Sequence, residues 1–366
     1  MKISEVLQIL ENWAPPSLQE SYDNAQLLCG DRNEEVTKTL VTLDCTEKVV
    51  LEAIEKGCNL IIAHHPIIFS GLKRLTGSSY VERTMIHAIK NNVAIYAMHT
   101  NLDNISSGVN FEIGKRLQLT NTRILSPKSN QLLKLVTFVP TGHLEPVRTA
   151  LFNAGAGHIG EYDHCSFSHK GVGTFRASND SKPFIGQPGI DHSEMETRLE
   201  VILPLHLKQT LLQALLHAHP YEEVAFDIYS LENLNQNIGS GMIGELSAPM
   251  HESDFLNFIS NTFKTPCIRH TALLNRPIKT VAICGGSGSF LLPQAIRAHA
   301  DVFITCDFKY HEFFDADDNL VICDVGHFES EQFTPRLIAN YLQDKNATFA
   351  VLLSEVNTNP VHYFIS

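Results

Sequence analysis

Apolar positions along this chain keep two rhythms. Short unbroken runs rich in Val, Ile and Leu predict buried strands, and stretches with apolar residues three and four apart predict helices. Thr39-Leu-Val-Thr-Leu-Asp44 reads as a strand. A helix follows over 47–56, with Thr46 as its N-cap and Gly57 at its stop. Residues 59–63 form a strand, 81–90 a helix after Ser78-Ser79, 94–98 a strand and 109–117 a helix. The C-terminal part keeps the same grammar: a strand at 278–284, a glycine turn, a helix to 300 and a strand at 301–305. A helix near 309–314, a strand at 320–325, a helix at 331–343 and a closing strand at 349–353 complete it. Alternation of this kind predicts an α/β fold with a mostly parallel core.

The two ends match one another. Lys38-Thr-Leu-Val answers Lys279-Thr-Val-Ala. Residues 52–65 answer 294–307, setting His64-His65 against Cys306-Asp307, and His99-x-x-x-Asp103 answers His327-x-x-x-Glu331. Any two βαβ units look somewhat alike, but agreement in both spacing and ligand type favours an internal duplication. Between the ends lies a different pattern: strand 133–139, helix 144–154 ending at Gly155, strands 164–168 and 198–203, helix 207–218 and strand 225–229. That βαββαβ order is ferredoxin-like, with a Gly-, Ser- and Pro-rich loop at 171–189 joining its central strands. The fold class expected is α/β: two related α/β lobes form one domain from residues 1–131 and 232–366, interrupted by an inserted ferredoxin-like α+β domain at 132–231.

Composition adds limits. The 366 residues suffice for two or three domains, and 43% apolar with 19% charged is a globular balance. A formal net charge of −12 makes nucleic acid a poor partner. No apolar stretch approaches a membrane span, and Met-Lys-Ile-Ser-Glu-Val lacks the apolar core of a signal peptide. The eight cysteines are scattered, with no C-x-x-C. They read as reduced thiols, so a cytoplasmic location is expected.

The chemistry gathers at the strand ends. His64 and His65 close one apolar run, Asp103 follows another, and His327 with Glu331 follows a third. Adjacent residues on a strand point to opposite sides, yet where the strand turns both imidazoles can reach one pocket. Three imidazoles and two carboxylates suit one or two divalent cations, and Zn, Mn, Fe, Co and Ni all accept such ligands. Taken singly, Asp103 and Glu331 could be acids at helix starts. His99 reads either as a group that orients a ligand or meets substrate, or as a satisfied core histidine, and Glu329 is a second-choice member of the cluster. Asp307 and His311, spaced i, i+4, read as supporting or acid–base residues, or as a local hydrogen-bonded pair. Cys284-Gly-Gly-Ser-Gly-Ser289 reads as a phosphate-holding turn or as a tight βα turn.

Asp23-Asn24-x-x-Leu27-Leu28-x-Gly30, Leu43-Asp44-x-Thr46, Ile62-Ala-His64-His65-Pro66-Ile-Ile-Phe69, Met98-His99-Thr-Asn-Leu-Asp103, Gly285-Gly-Ser-Gly288 and Gly326-His327-x-Glu329-Ser-Glu331 together resemble the NIF-three-like family. Its members are often labelled GTP cyclohydrolase I type 2 homologues. The insert, with His219-Pro220-Tyr221-Glu222-Glu223, is similar to PII- and CutA-type domains. The resemblance implies two divalent metal ions held by His64, His65, Asp103, His327 and Glu331, with Asp103 and Glu331 bridging. It also implies a toroidal homohexamer built as a dimer of trimers. Cys306 stands where relatives carry glycine, which bears on the shape of the Asp307 turn. The expected function is metal-dependent hydrolysis of a nucleotide or related small molecule, with Asp307, His311 and His99 as catalytic candidates. The alternative is a non-enzymatic metal chaperone, or a regulatory protein whose insert senses a small ligand.

Overall fold

The structure, a computed structural model, describes residues 1–347 and 349–364. The chain forms two compact units: Met1–Pro127 with Asn237–Ser366, and Lys128–Gln236. No helix among the described residues is long and apolar enough to cross a membrane.

The larger unit is mixed α/β and carries two sheets. The first runs in the order Leu27–Cys29, Ala94–Ala97, Leu60–His65, Thr39–Asp44, Val351–Leu353. Its last four strands are parallel, and Leu27–Cys29 pairs antiparallel at the edge. The inner strands are buried on both faces, which is why they read as unbroken apolar runs. One face, through Leu40, Ile61 and Ile95, packs on Val49, Val50 and Ala53 of helix Glu47–Glu55 and on Met85 and Ala88 of helix Tyr80–Lys90. Thr46 and Ser79 cap these helices by accepting from the amides of Val49 and Glu82.

The second sheet runs in the order Arg269–His270, Val321–Asp324, Val302–Cys306, Ile278–Ser287, Asn235–Met250, Thr120–Lys128. Its three central strands from Ile278 to Asp324 are parallel. One apolar cluster takes Val41, Ile62 and Tyr96 from the first sheet and Val281, Ile304 and Cys323 from the second. It also takes in helices Ile3–Trp13, Glu252–Phe263 and Thr334–Lys345. Trimming a fully buried member such as Ile62 to alanine costs about 2–5 kcal/mol.

Two expected elements differ. The helix expected over 331–343 is two pieces, His327–Glu331 and Thr334–Lys345, because Pro335 restarts the helix in its first turn. Glu331 therefore ends a short helix instead of starting a long one. The element near 309–314 is a 3-10 helix, Tyr310–Ala316, and Asp307 lies before it with φ +60°. Asp307 and His311 therefore do not share a helix face.

The unit Lys128–Gln236 has the order strand, helix, strand, strand, helix, strand. Its antiparallel sheet runs Ser166–Arg176, Asp191–Pro204, Leu132–Pro140, Phe226–Leu231. The central hairpin is much longer than expected, leaving a loop of only 177–190 where 171–189 was expected. Gly171 and Gly173 hid the strand, since glycine disfavours strands in general. At 173 a Cβ would lie 2.0 Å from Glu196 Oε2 and would push that carboxylate aside.

Candidate metal centre

The strand ends of both sheets in the larger unit open onto a cavity of about 700 Å³. His64 and His65 close strand Leu60–His65. His64 is fully buried. Its Nδ1–H donates to the Met98 carbonyl at 2.7 Å, which leaves the lone pair on Nε2. That Nε2 is buried without a hydrogen-bond partner, and so is Asp103 Oδ1. The two atoms are 3.7 Å apart, and Nε2 lies at the same distance from Glu331 Oε1. These separations are too long for hydrogen bonds. They suit ligand atoms each about 2.0–2.2 Å from a shared cation.

A second triad lies alongside. His65 Nε2 is 3.0 Å from Glu331 Oε2 and 3.4 Å from His327 Nε2, which is itself 3.1 Å from the same oxygen. His327 and Glu331 open and close one short helix, so their i, i+4 spacing puts both on one side. Glu331 belongs to both triads, Oε1 facing His64 and Oε2 facing His65 and His327. Asp103, at the end of helix Thr100–Asp103, joins only the triad with His64. Gly286 leaves room for the shared carboxylate: with φ +67°, a Cβ there would lie 2.4 Å from Glu331 Oε1.

All four histidines are held by their Nδ1 atoms. His64 has Met98 O, His65 has Asp44 Oδ1 at 2.8 Å, His99 has Asp23 Oδ1 at 2.8 Å and His327 has Asp307 Oδ2 at 2.7 Å. Such partners fix the tautomer and ring angle of a metal-binding histidine. The sheet itself sets one of them, because Asp44 and His65 are register partners on adjacent parallel strands. The electrostatics call for added positive charge. Burial and the nearby Glu331 push Asp103 up to about 7. Burial opposes ionisation of Glu331 too, but His65, His327 and His64 hold it well below the usual carboxylate range. Burial would depress His65, yet Glu331 and Asp44 lift it to about 10. Protons on the imidazoles, or divalent cations in their place, balance the buried carboxylates. The donor set fits divalent ions: imidazole nitrogens with free lone pairs, a carboxylate presenting one oxygen to each triad, and two buried polar atoms with no other partner.

The remaining sequence candidates lie outside these two triads, although His99 groups with His64 and His65, and Asp307 with Cys306 and His327. His99 lines the cavity, anchored on Asp23, which His99 and Thr100 hold at about 2 despite the opposing effect of burial. Asp307 lines it too, as the holder of His327. His311 is exposed on the 3-10 helix, its ring beside Tyr310 and Phe314, and is not among the residues lining the cavity. Glu329 is buried and faces the C-terminal segment, accepting from Asn359 Nδ2 at 3.1 Å. The glycine turn is a tight turn: Gly285 N–H donates to Asn110 Oδ1 and Gly286 N–H to Ser330 Oγ, so these amides are taken. Cys306 closes its strand, and the left-handed residue of the turn is Asp307, so a side chain at 306 is accommodated.

Sequence reasoning gave no role to Asp44 or the C-terminal segment. Thr358 Oγ1 donates to Asp44 Oδ2 at 2.6 Å, and Asn359, Pro360, Val361 and Tyr363 form a wall of the cavity. The motifs around Asp23 and Asp44 were visible; nothing comparable marked Thr358.

The family model described as Duf34/NIF3 (NGG1p interacting factor 3) matches residues 1–360. A "GTP cyclohydrolase 1 type 2 homolog" of Halalkalibacterium halodurans is 39% identical over 98% of this chain and 99% of its own length. The Bacillus subtilis protein of the same name is 37% identical over 97% of each. Among solved structures, a Bacillus cereus protein related to NIF3 superposes with a TM-score of 0.88 at 36% identity, covering 100% of this chain and 99% of that one. A Staphylococcus aureus protein superposes with a TM-score of 0.78 at 32% identity, over 100% and 99%. The chain belongs to the Duf34/NIF3 family.

Proposed function

We propose that this protein holds two divalent metal ions and uses them to hydrolyse a nucleotide or related small molecule. The observation that carries the reading is the pair of buried, unpartnered atoms His64 Nε2 and Asp103 Oδ1, 3.7 Å apart, beside a carboxylate common to both triads. One ion would lie among His64, Asp103 and Glu331, and the other among His65, His327 and Glu331. Ions bound there would supply Lewis acidity and lower the pKa of water toward about 7. Asp44 and Asp307 keep the second pair of imidazoles aimed. His99, with Nδ1 fixed on Asp23, takes or gives a proton at Nε2 on the cavity side. His311 has no part in the proposal. Glu331 offers an oxygen to each triad and Asp103 to one, so Glu331 would be the shared ligand and Asp103 would serve the ion beside His64.

The test is turnover of GTP by protein loaded with Zn or Mn, following ring opening and phosphate release, with His64→Ala beside it. Loss of turnover in the variant is expected, and unchanged turnover would overturn the assignment. A metal chaperone is the second reading, favoured by the His327 side chain being 40% exposed at one end of the cluster. Rapid loss of metal to a weak chelator, with no turnover of any nucleotide, would select it. The proposal also carries the toroidal homohexamer, to be checked by light scattering, and the kinship of the insert to PII and CutA domains, which its βαββαβ order supports.

A further inference from the structure

The unit Lys128–Gln236 carries a cavity of its own, of about 730 Å³. Its sheet packs Leu135, Leu199, Val201 and Leu203 against Val147, Leu151, Leu211 and Leu215 of its two helices. Side chains alternate along a strand, so Glu196 and Arg198 emerge together on the other face. There they line the cavity with Phe175, Phe184 and Tyr221.

Two of these groups are unusual for a sheet face. Glu196 is only 9% exposed, and its Oε1 accepts from the Tyr221 hydroxyl at 2.9 Å. Its other oxygen lies over Gly173, where any side chain would displace it. Arg198 Nε is buried with no hydrogen-bond partner, while its Nη2 is tied to Glu200 at 3.0 Å. A buried acceptor thus stands two residues along the strand from an arginine whose Nε–H has no partner and whose side chain is partly exposed. Aromatic rings lie beside them, Tyr221 at 6.0 Å and 61° from Phe175 and at 6.4 Å and 52° from Phe184.

We propose that this cavity binds a nucleobase, free or within a nucleoside. The ligand must be flat, to lie against these rings. Its edge must offer a donor to the Glu196 carboxylate and an acceptor to the partly exposed Arg198 guanidinium, which nucleobase edges do. An aliphatic or purely hydrocarbon ligand would cover these two groups without giving either a new hydrogen bond, at a cost. A phosphate is not part of the recognition, because Arg176, the other arginine of the lining, already spends two hydrogen bonds on Asp191. The proposal does not depend on the metal reading.

The experiment is isothermal titration of the whole protein with adenine, uracil, guanosine and GMP. At least one base or nucleoside should bind, one per chain, with GMP no tighter than guanosine. Glu196→Gln and Phe175→Ala should each weaken that binding by about tenfold or more, and His64→Ala, in the other unit, should leave it unchanged. Using two variants guards against one of them misfolding. The proposal is overturned by no binding of any of the four up to about 1 mM. Equal affinity in both insert variants, or GMP binding about tenfold more tightly than guanosine, would also overturn it.

Discussion

The two halves of the larger unit use one backbone plan to different chemical ends. In the N-terminal half a strand ends on two imidazoles, His64 and His65. In the C-terminal half the equivalent strand ends on Cys306, followed by Asp307. His65 reaches into the cluster and is held from the neighbouring strand by Asp44. Asp307, at the corresponding position, is itself the holder, and the imidazole it holds comes from the short helix that follows. The short helices differ in the same way. Asp103 reaches only the His64 side, whereas Glu331, one methylene longer, presents an oxygen to each triad. Similar strand ends thus carry an asymmetric cluster: Asp103 joins one triad, and Glu331 joins both.

That asymmetry is most exposed to Glu331→Gln. Loss of the shared carboxylate should abolish binding of both ions, an affinity loss of more than about 100-fold, since removing even a partner behind a ligand costs 10–100-fold. Asp103→Asn should release only the ion beside His64 and leave about one per chain by elemental analysis. Equal loss in the two variants would make the carboxylates equivalent and end the comparison.

The two holders come next. Asp44→Asn and Asp307→Asn remove partners of different imidazoles in one triad. Each should weaken the second ion by about 10–100-fold while the first stays bound. A pH series sharpens this. Without metal, His65 is held up to about 10 by Glu331 and Asp44 against burial, so it keeps its proton at neutral pH. Metal must displace that proton, and affinity should fall as the pH is lowered from 8 toward 6. Asp44→Asn removes one of the influences that raise His65, so the pH at which affinity levels off should move down. A levelling-off pH that does not move would mean that Asp44 does not set the basicity of His65.

Gly286→Ala probes the room made for the bridge. A left-handed backbone with a Cβ costs about 1–2 kcal/mol, and this Cβ would also meet Glu331 Oε1. Thermal unfolding should show the lower stability, and the metal content should fall with it. Normal metal binding in a destabilised variant would show that Glu331 can bridge from a shifted position.

How far the sequence reached is clear from particular residues. His64, His65, Asp103, His327 and Glu331 were readable because parallel strands are apolar throughout and change character where they end. The break before Thr334 was not, because 331–343 keeps helical spacing across it. Asp44 escaped because its role depends on register with a strand that begins 16 residues later at Leu60. Only the start of strand Ser166–Arg176 was readable, at 164–168, because burial is slight along the rest and lacks the alternation that marks a half-buried strand.

The weakest expected effect concerns Thr358. Thr358 lies 314 positions from Asp44 and touches no ligand directly, yet its hydroxyl takes the Asp44 oxygen that His65 leaves free. Thr358→Val keeps the shape and removes that donor. Asp44 then keeps its hydrogen bond to His65 but loses one restraint on its rotation. A hydrogen bond to an ionised carboxylate is worth about 1.5–3 kcal/mol, of which only part reaches the ion through His65, so affinity at the second ion should fall by roughly tenfold at most. The first ion, held by His64 and Asp103 on the other side of Glu331, should be unaffected. A loss equal to that of Asp44→Asn would make the C-terminal segment as necessary to His65 as Asp44 itself.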